Sequence, residues 1–144
     1  METIQFKYNK GFGFISFFGI LSLFIFNLIK SFNYTDIADI KIMIGFEAIM
    51  LLFLIIVGVK YFVPVITNKI ALEINKEGII DNTRHNQFYW GNIKFIRQVN
   101  LKNSSAIEIG LLDSNSTNLI RLQYIAGTDY EIFNAVENYF KHVK

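Results

Sequence analysis

Residues 11–29, GFGFISFFGILSLFIFNLI, form an apolar run of 19 residues without a charged side chain. As an α-helix the run would be about 28 Å long, close to the thickness of the hydrocarbon core of a bilayer. A second run, residues 42–66, is interrupted only by Glu47 and Lys60 as charged residues. The two runs therefore predict a transmembrane helical hairpin over residues 11–66.

The overall composition fits a protein in which one part lies in lipid and the other part in water. The 144 residues are 52% hydrophobic and only 18% charged, whereas an ordinary soluble domain has about 25% charged residues. This hydrophobicity excludes a disordered chain, and a net charge of +2 disfavours nucleic-acid binding. The chain has no cysteine, which excludes disulfides and thiolate metal sites. The alternative of two core helices in a soluble bundle is disfavoured by the length of the two runs.

Lysines at the ends of the two runs predict an orientation. Five flank the outer ends of the hairpin, and two lie in the connecting loop, residues 30–41. These are Lys7, Lys10, Lys60, Lys69 and Lys76 on the outer flanks, and Lys30 and Lys41 in the loop. The positive-inside rule then predicts both termini in the cytoplasm. The expected protein is multi-pass in the cell inner (cytoplasmic) membrane, with residues 1–10 as an N-terminal cytoplasmic segment.

Residues 67–144 have a different pattern, in which charges return and apolar residues alternate with polar ones. This period of two predicts about six short antiparallel strands. They cover residues 70–74, 79–82, 87–90, 93–101, 106–112 and 118–125. Thr128 and Glu131 then fit a capping box, and a helical apolar period follows. The fold class is therefore predicted as α+β, with a small soluble domain closed by a helix over 129–143.

Short motifs in the soluble part point to a family. They are the strand Ile70–Ile74, the pair Gly78-Ile79 after a turn, and Trp90 shortly before the strand that begins at Ile93. Together with the hairpin, residues 70–143 resemble the bacterial membrane proteins with PH-like domains, especially the YcxB-like group. The resemblance implies a PH-like fold and a membrane location, but no settled activity. The chain departs from the pattern after Trp90, where Gly91 and Asn92 replace an expected acid, and in having six predicted strands instead of seven.

Glu47 is the main candidate for a functional residue, because an acid inside a membrane span is costly. Asn27 lies near the matching end of the first run and is expected at a similar depth. We predict that Asn27 and Glu47 form an intramembrane polar pair through a hydrogen bond between the helices, or that Glu47 contacts Lys41. A role in ion or proton transport is disfavoured because neither span contains a second acid.

The other candidate residues predict structure rather than chemistry. Trp90, the only tryptophan, is predicted to be a structural anchor, with ligand stacking as the alternative. His85 and His142 have no neighbours at metal-ligand spacing, and no G-x-S-x-G motif is present. No catalytic, cofactor-binding or metal-binding residue is therefore predicted.

The sequence as a whole predicts a non-enzymatic integral membrane protein. Its cytoplasmic PH-like domain is expected to bind a protein partner through an exposed strand edge or the groove beside the helix. One alternative is a membrane immunity or stress-protection protein that binds a toxin, peptide or lipid, and another is an accessory subunit of a transporter. The expected partners are the lipid bilayer and a protein, without a nucleic acid, and the oligomeric state is left open.

Overall fold

The structure is a computed structural model that describes residues 2–31, 37–102, 104–112 and 117–143. The chain divides into two compact units. We call Lys10–Thr67 the helical unit, and Met1–Asn9 with Asn68–Lys144 the sheet domain. Residues 32–36 of the loop predicted between the two apolar runs lie outside the described residues, as do residue 103 of the turn predicted at 103–105 and residues 113–116 of the turn predicted at 113–117.

The helical unit consists of two long apolar helices. Helix α1 is Lys10–Ser31, helix α2 is Ile37–Val57, a π-helical turn covers Gly58–Phe62, and helix α3 is Val63–Ile66. The last three segments follow one another without a break, so the second apolar run forms one long helix. Both α1 and the stretch Ile40–Ile66 are long and apolar enough to cross a membrane, and few of their residues are buried. The two predicted apolar helices are therefore confirmed.

The second long helix ends where the sequence carries its only proline. Pro64 lies in the first turn of α3 and is buried, and it has no N–H to donate to the preceding turn. The helix ends at Ile66, and the Thr67 hydroxyl donates a hydrogen bond to the Val63 carbonyl at 2.7 Å. The hydrogen bond that the proline cannot donate falls in the preceding turn, Gly58–Phe62, which is π-helical.

The sheet domain contains two antiparallel sheets and a C-terminal helix. The first sheet has the order β1-β2-β3-β4, and the second has the order β5-β6-β7. The strands are β1 Ile4–Lys7, β2 Ile70–Ile74, β3 Gly78–Asp81, β4 Asn86–Tyr89, β5 Ile93–Leu101, β6 Ser104–Leu111 and β7 Thr117–Arg121. Helix α4 is Asp129–Val143. The predicted α+β architecture is confirmed at this level.

Strand β1 was not predicted and comes from the segment before the helical unit. It pairs with β2, with Ile4 opposite Ile74 and Phe6 opposite Leu72. Beside it, the Ala126 N–H donates to the Lys7 carbonyl at 2.8 Å, so the same segment also joins the chain that follows β7. No turn joins this segment to its partner, because the partner strand lies beyond the whole helical unit. The seventh strand is therefore a product of long-range pairing.

The last predicted strand is shorter than the sequence indicated. Strand β7 ends at Arg121, and Leu122–Tyr124 forms a 3-10 turn in which Leu122 is buried. Alternation would bury Leu122 and Tyr124, whereas the 3-10 turn, with about three residues per turn, buries Leu122 and Ile125. The period of two therefore did not distinguish the strand from the turn.

The core of the sheet domain combines both sheets with α4. The largest fully buried apolar side chains come from five strands, the segment after β7 and the helix: Leu72, Ile74, Ile79, Ile93, Ile107, Ile109, Ile120, Leu122, Ile125, Ile132 and Val136.

The capping box predicted at the start of α4 is confirmed. The Thr128 N–H donates to the Glu131 carboxylate at 2.9 Å, and the Glu131 N–H donates to the Thr128 hydroxyl at 3.2 Å.

Candidate functional site

The helical unit contains a cavity between the end of α1 and the first half of α2. Its volume is about 220 Å³, and we call it the Glu47 cavity. Helix α1 contributes Leu28 and Ser31, and α2 contributes Ile40, Met43, Ile44 and Glu47. The four α2 positions follow the spacing of one helix face. The cavity is therefore apolar except for one hydroxyl and one carboxylate.

The Glu47 carboxylate has no hydrogen-bond partner among the described residues, although both of its oxygens are buried. Asn27 instead donates to the Leu23 carbonyl of its own helix at 2.9 Å. The predicted Asn27–Glu47 hydrogen bond is therefore not formed, and the alternative contact with Lys41 is not formed either. The backbone carbonyl one turn earlier satisfies the Asn27 amide locally, so the amide does not reach across to the other helix.

The hydroxyl that lines the cavity is also used within its own helix. Ser31 Oγ donates to the Leu28 carbonyl at 2.6 Å. A carboxylate has two oxygens with about four acceptor positions, and a buried acceptor without a donor is costly. The Glu47 cavity therefore offers strong acceptor capacity in an apolar setting, and the lining residues supply no donor for it.

The opposite end of the helical unit is closely packed. A Cβ atom at Gly13 would lie 2.7 Å from Val65 Cγ2 and 3.0 Å from the Tyr61 carbonyl oxygen. The rings of Phe17 and Phe62 stack with their centroids 4.3 Å apart. Gly13 therefore lets the two helices approach closely at this end. Cavity and close contact lie at opposite ends of the same helix pair.

In the sheet domain, β5 is the longest strand and lies at the edge of its sheet. Its nine residues pair with β6, and no other strand neighbour is present in the described part of the chain. Lys94, Gln98 and Asn100 are exposed on it. Arg97 forms an ion pair with Glu108 directly opposite on β6, and this contact lowers the pKa of Glu108 below its ordinary value. From Lys94 to Leu101, the β5 edge therefore has no second strand neighbour in the described chain and lies beside a satisfied ion pair.

The structure places Trp90 in the core of the sheet domain. The residue is buried, its indole N–H donates to the Asn75 carbonyl at 2.8 Å, and its ring stacks with Tyr139 at a centroid distance of 6.0 Å. These contacts use both its N–H and a ring face within the domain. These surroundings support the role of Trp90 as a structural anchor, which stays a prediction.

The two histidines lie on the surface of the sheet domain. His85 has a φ of 57° in the β3–β4 turn, and His142 Nδ1 lies 2.7 Å from the Asn138 carbonyl oxygen in α4. Within the ranges that the structure describes, no three His, Cys, Asp or Glu side chains converge. The lack of a metal site stays a prediction.

Sequence reasoning missed Asp81, the last residue of β3. Asp81 is fully buried and accepts hydrogen bonds at one oxygen from the Thr83 N–H at 2.9 Å and the Thr83 hydroxyl at 2.6 Å. Its other oxygen is buried without a partner, and burial raises the pKa of this carboxyl. The Asp-x-Thr spacing was the available signal, because it is typical of a side chain that closes its own turn.

Comparisons with protein-family models, characterised proteins and solved structures find no significant match to this chain. The resemblance to the YcxB-like group therefore stays a prediction. The function has to be inferred from the Glu47 cavity, the β5 edge and the arrangement of the two units along the chain.

Proposed function

We propose that this chain is a non-enzymatic membrane protein that holds a protein partner at the membrane through its sheet domain. The observation that carries the proposal is the β5 edge from Lys94 to Leu101, which has β6 as its one strand neighbour in the described chain. An exposed edge strand presents unpaired main-chain groups that an extended peptide can pair with. The helical unit, with two helices long and apolar enough to cross a bilayer, supports the membrane location.

The position of β1 supports a hairpin whose two ends lie on one side of the membrane. Strand β1 precedes the helical unit along the chain, and its partner β2 follows that unit. Two strands of one sheet lie in the same compartment, so a helical unit between them crosses the bilayer an even number of times. The lysine bias then favours the cytoplasm for the sheet domain and the inner membrane as its location.

The seventh strand also supports a PH-like identity for the sheet domain. The sequence alone predicted six strands, one fewer than a full PH domain. With β1 the domain has two antiparallel sheets of four and three strands and a C-terminal helix. We therefore propose a PH-like domain of the YcxB-like kind, assembled from chain segments on both sides of the helical unit.

Binding at the β5 edge is tested by photo-crosslinking in native membranes. A benzophenone amino acid replaces Gln98, which is exposed on β5, or Tyr130, which is 72% exposed on α4. The proposal predicts one reproducible protein adduct from position 98 and none of that protein from position 130. Adducts with lipid alone, or the same protein from both positions, would overturn it.

Proline substitutions then test whether the captured partner adds a strand. Consecutive residues of an antiparallel strand alternate in whether their N–H points to the neighbouring strand. Of Gln98→Pro and Val99→Pro, one removes an N–H that β6 uses and destabilises the domain, whereas the other removes an outward N–H. We expect the stable variant to bind the purified partner about tenfold more weakly, as the loss of about 1 kcal/mol or more implies. A stable variant with unchanged affinity contradicts strand addition.

A further inference from the structure

We infer that the Glu47 cavity is a binding site for a basic side chain, lysine or arginine, carried by a transmembrane helix of another protein. This inference rests on the proposed membrane location and adds a second contact, within the bilayer, to the partner binding proposed for the sheet domain. It is carried by the carboxylate without a donor, by the apolar lining and by the volume of the cavity.

The first step is that no group in the described part of the chain donates to Glu47. Both carboxylate oxygens are buried and have no hydrogen-bond partner among the described residues, while Asn27 and Ser31 of α1 donate to carbonyls of their own helix. The ammonium group of Lys30 lies 4.7 Å from the centroid of the Phe26 ring. Charged groups at membrane depth are rare and pair with a partner of opposite charge. A cation that enters the cavity therefore relieves the cost of the buried carboxylate.

The second step is that the lining selects the shape of the cation. Apart from Glu47 and Ser31, the lining side chains are apolar, and lysine and arginine carry a long aliphatic stem behind a charged tip. Met43 is flexible and adapts to such a stem. The volume of about 220 Å³ is below the roughly 300–1,000 Å³ of small-molecule pockets. The cavity therefore fits one side chain better than a drug-sized ligand.

The third step is that the side chain comes from a helix of a different protein. In the hydrocarbon region an isolated partner segment has to be helical to satisfy its own main chain. A second copy of this chain would have to supply Lys30 or Lys41, which are its lysines at this end of the unit. Glu47 lies six residues beyond Lys41, about 9 Å farther along the helix, so these lysines do not match its depth. A basic residue inside a partner span does.

The experiment uses the full chain, labelled with a fluorescent donor and reconstituted in lipid bilayers. The probes are synthetic polyleucine helices of about 20 residues that carry an acceptor dye. One probe has a single lysine at the depth of Glu47, a second has leucine there, and a third has glutamate. Energy transfer measures the association of each probe with the chain.

We expect the lysine probe to associate about tenfold more tightly than the leucine probe, in the range measured for polar contacts between membrane helices. Glu47→Gln should remove this preference, because the amide carries no charge. Phe46→Gln is the matched control, since it adds an amide at a neighbouring exposed position and keeps the acid. The control should retain the preference for lysine.

Three results would overturn the inference: equal association of the lysine and leucine probes, a lysine preference that survives Glu47→Gln, or energy transfer between copies of the chain that Glu47→Gln abolishes. The last result would assign the cavity to a second copy. Resistance of the chain to alkaline extraction is measured in parallel. An extractable chain contradicts the proposed membrane function itself, whereas an inserted chain without a lysine preference contradicts only the assignment of the cavity.

Discussion

The helical unit and the sheet domain treat the same kind of side chain in opposite ways. In the sheet domain Ile79 and Ile107 are 0% exposed, whereas Ile42 and Ile49 on α2 are 71% and 67% exposed. The sheet domain removes its apolar side chains from water by packing them on one another. The helical unit leaves many of them exposed, on two helices that are long and apolar enough to cross a membrane. The comparison shows that hydrophobicity alone does not make a core.

The two units also differ in how they accommodate a buried carboxyl group. Asp81 in the sheet domain receives two hydrogen bonds from Thr83, so only one of its oxygens lacks a partner. Glu47 in the helical unit receives none among the described residues. The turn after β3 supplies donors from the adjacent backbone, but a helix interior has already used its backbone donors. A carboxylate in a helix interior therefore depends on donors from other side chains.

The largest expected effect comes from the same substitution placed in both units. Leu72→Ala empties a site that is 0% exposed in the sheet domain, and it should lower the free energy of unfolding by about 2–5 kcal/mol. Leu52→Ala removes a side chain that is 60% exposed, and it should change the unfolding of the sheet domain by less than about 0.5 kcal/mol. Urea titration of the full chain in detergent, followed by Trp90 fluorescence, measures both. Similar losses in the two variants would contradict the contrast between the units.

The next effect tests the close-packed end of the helical unit. Gly13→Ala places a Cβ atom 2.7 Å from Val65 Cγ2 and 3.0 Å from a backbone oxygen, so overpacking should cost about 1–3 kcal/mol. Gly19→Ala is the control, because nothing lies within 4 Å of its Cβ position. The control should be neutral or stabilising by up to about 1 kcal/mol through helix propensity. Unfolding in mixed micelles with increasing SDS, followed by circular dichroism, measures the difference, and equal curves would refute the close contact.

A smaller effect is expected at the cap of α4. Thr128→Ala removes the hydroxyl that accepts from the Glu131 N–H, and it should lower the stability of the sheet domain by about 1 kcal/mol. Thr3→Ala, at an exposed position outside any strand or helix, should change stability by less than about 0.5 kcal/mol. The same urea titration provides the measurement. A loss in the control as large as in the cap variant would count against the capping role.

The smallest effects are changes in the pH dependence of stability, and they have opposite signs at two carboxyls. Burial raises the pKa of Asp81 in the folded state. The contribution of Asp81 to the free energy of unfolding is therefore fully present below the unfolded pKa of about 3.9, and it is lost as pH rises through the folded pKa. The hydrogen bond from the Thr128 N–H lowers the pKa of Glu131, so its contribution is present above the unfolded pKa of about 4.3 and is lost as pH falls.

Replacing each carboxyl group by an amide should remove the part of the pH dependence of stability that the carboxyl group causes. With Asp81→Asn, stability should fall less as pH rises above about 4, and with Glu131→Gln it should fall less as pH drops below about 4. Thermal unfolding of both variants across this pH range, against the unsubstituted chain, checks the two slopes. A slope that changes in the same direction in both variants contradicts the different environments of the two groups.

Much of the fold was accessible from local patterns. The alternation in Ile70–Ile74 and Ile93–Leu101 predicted β2 and β5 with the bounds that the structure has. The capping box and the apolar period predicted α4 equally well. Each of these signals lies within one segment and needs no knowledge of its neighbours. Strand β1, by contrast, has no turn joining it to a neighbour and pairs with β2 on the far side of the helical unit.

The candidate site was accessible only in part. The cost of an acid in an apolar run was enough to single out Glu47, but the predicted hydrogen bond with Asn27 was wrong. The amide can bond either to the facing helix or to the carbonyl one turn earlier, and spacing along the chain does not choose between them. Asp81 was overlooked because a polar residue at the end of a strand is expected at the surface. Its burial depends on strands from both ends of the chain.

The sequence by itself determined which segments are apolar helices, where β2 and β5 begin and end, and where the last helix is capped. These properties follow from the order of side chains along a few turns or strand residues, so they are local. Only the tertiary structure decided that β1 completes the first sheet, that Asp81 is buried, and that Glu47 faces a cavity without a donor. Those properties depend on which groups from distant segments come within a few ångströms of one another.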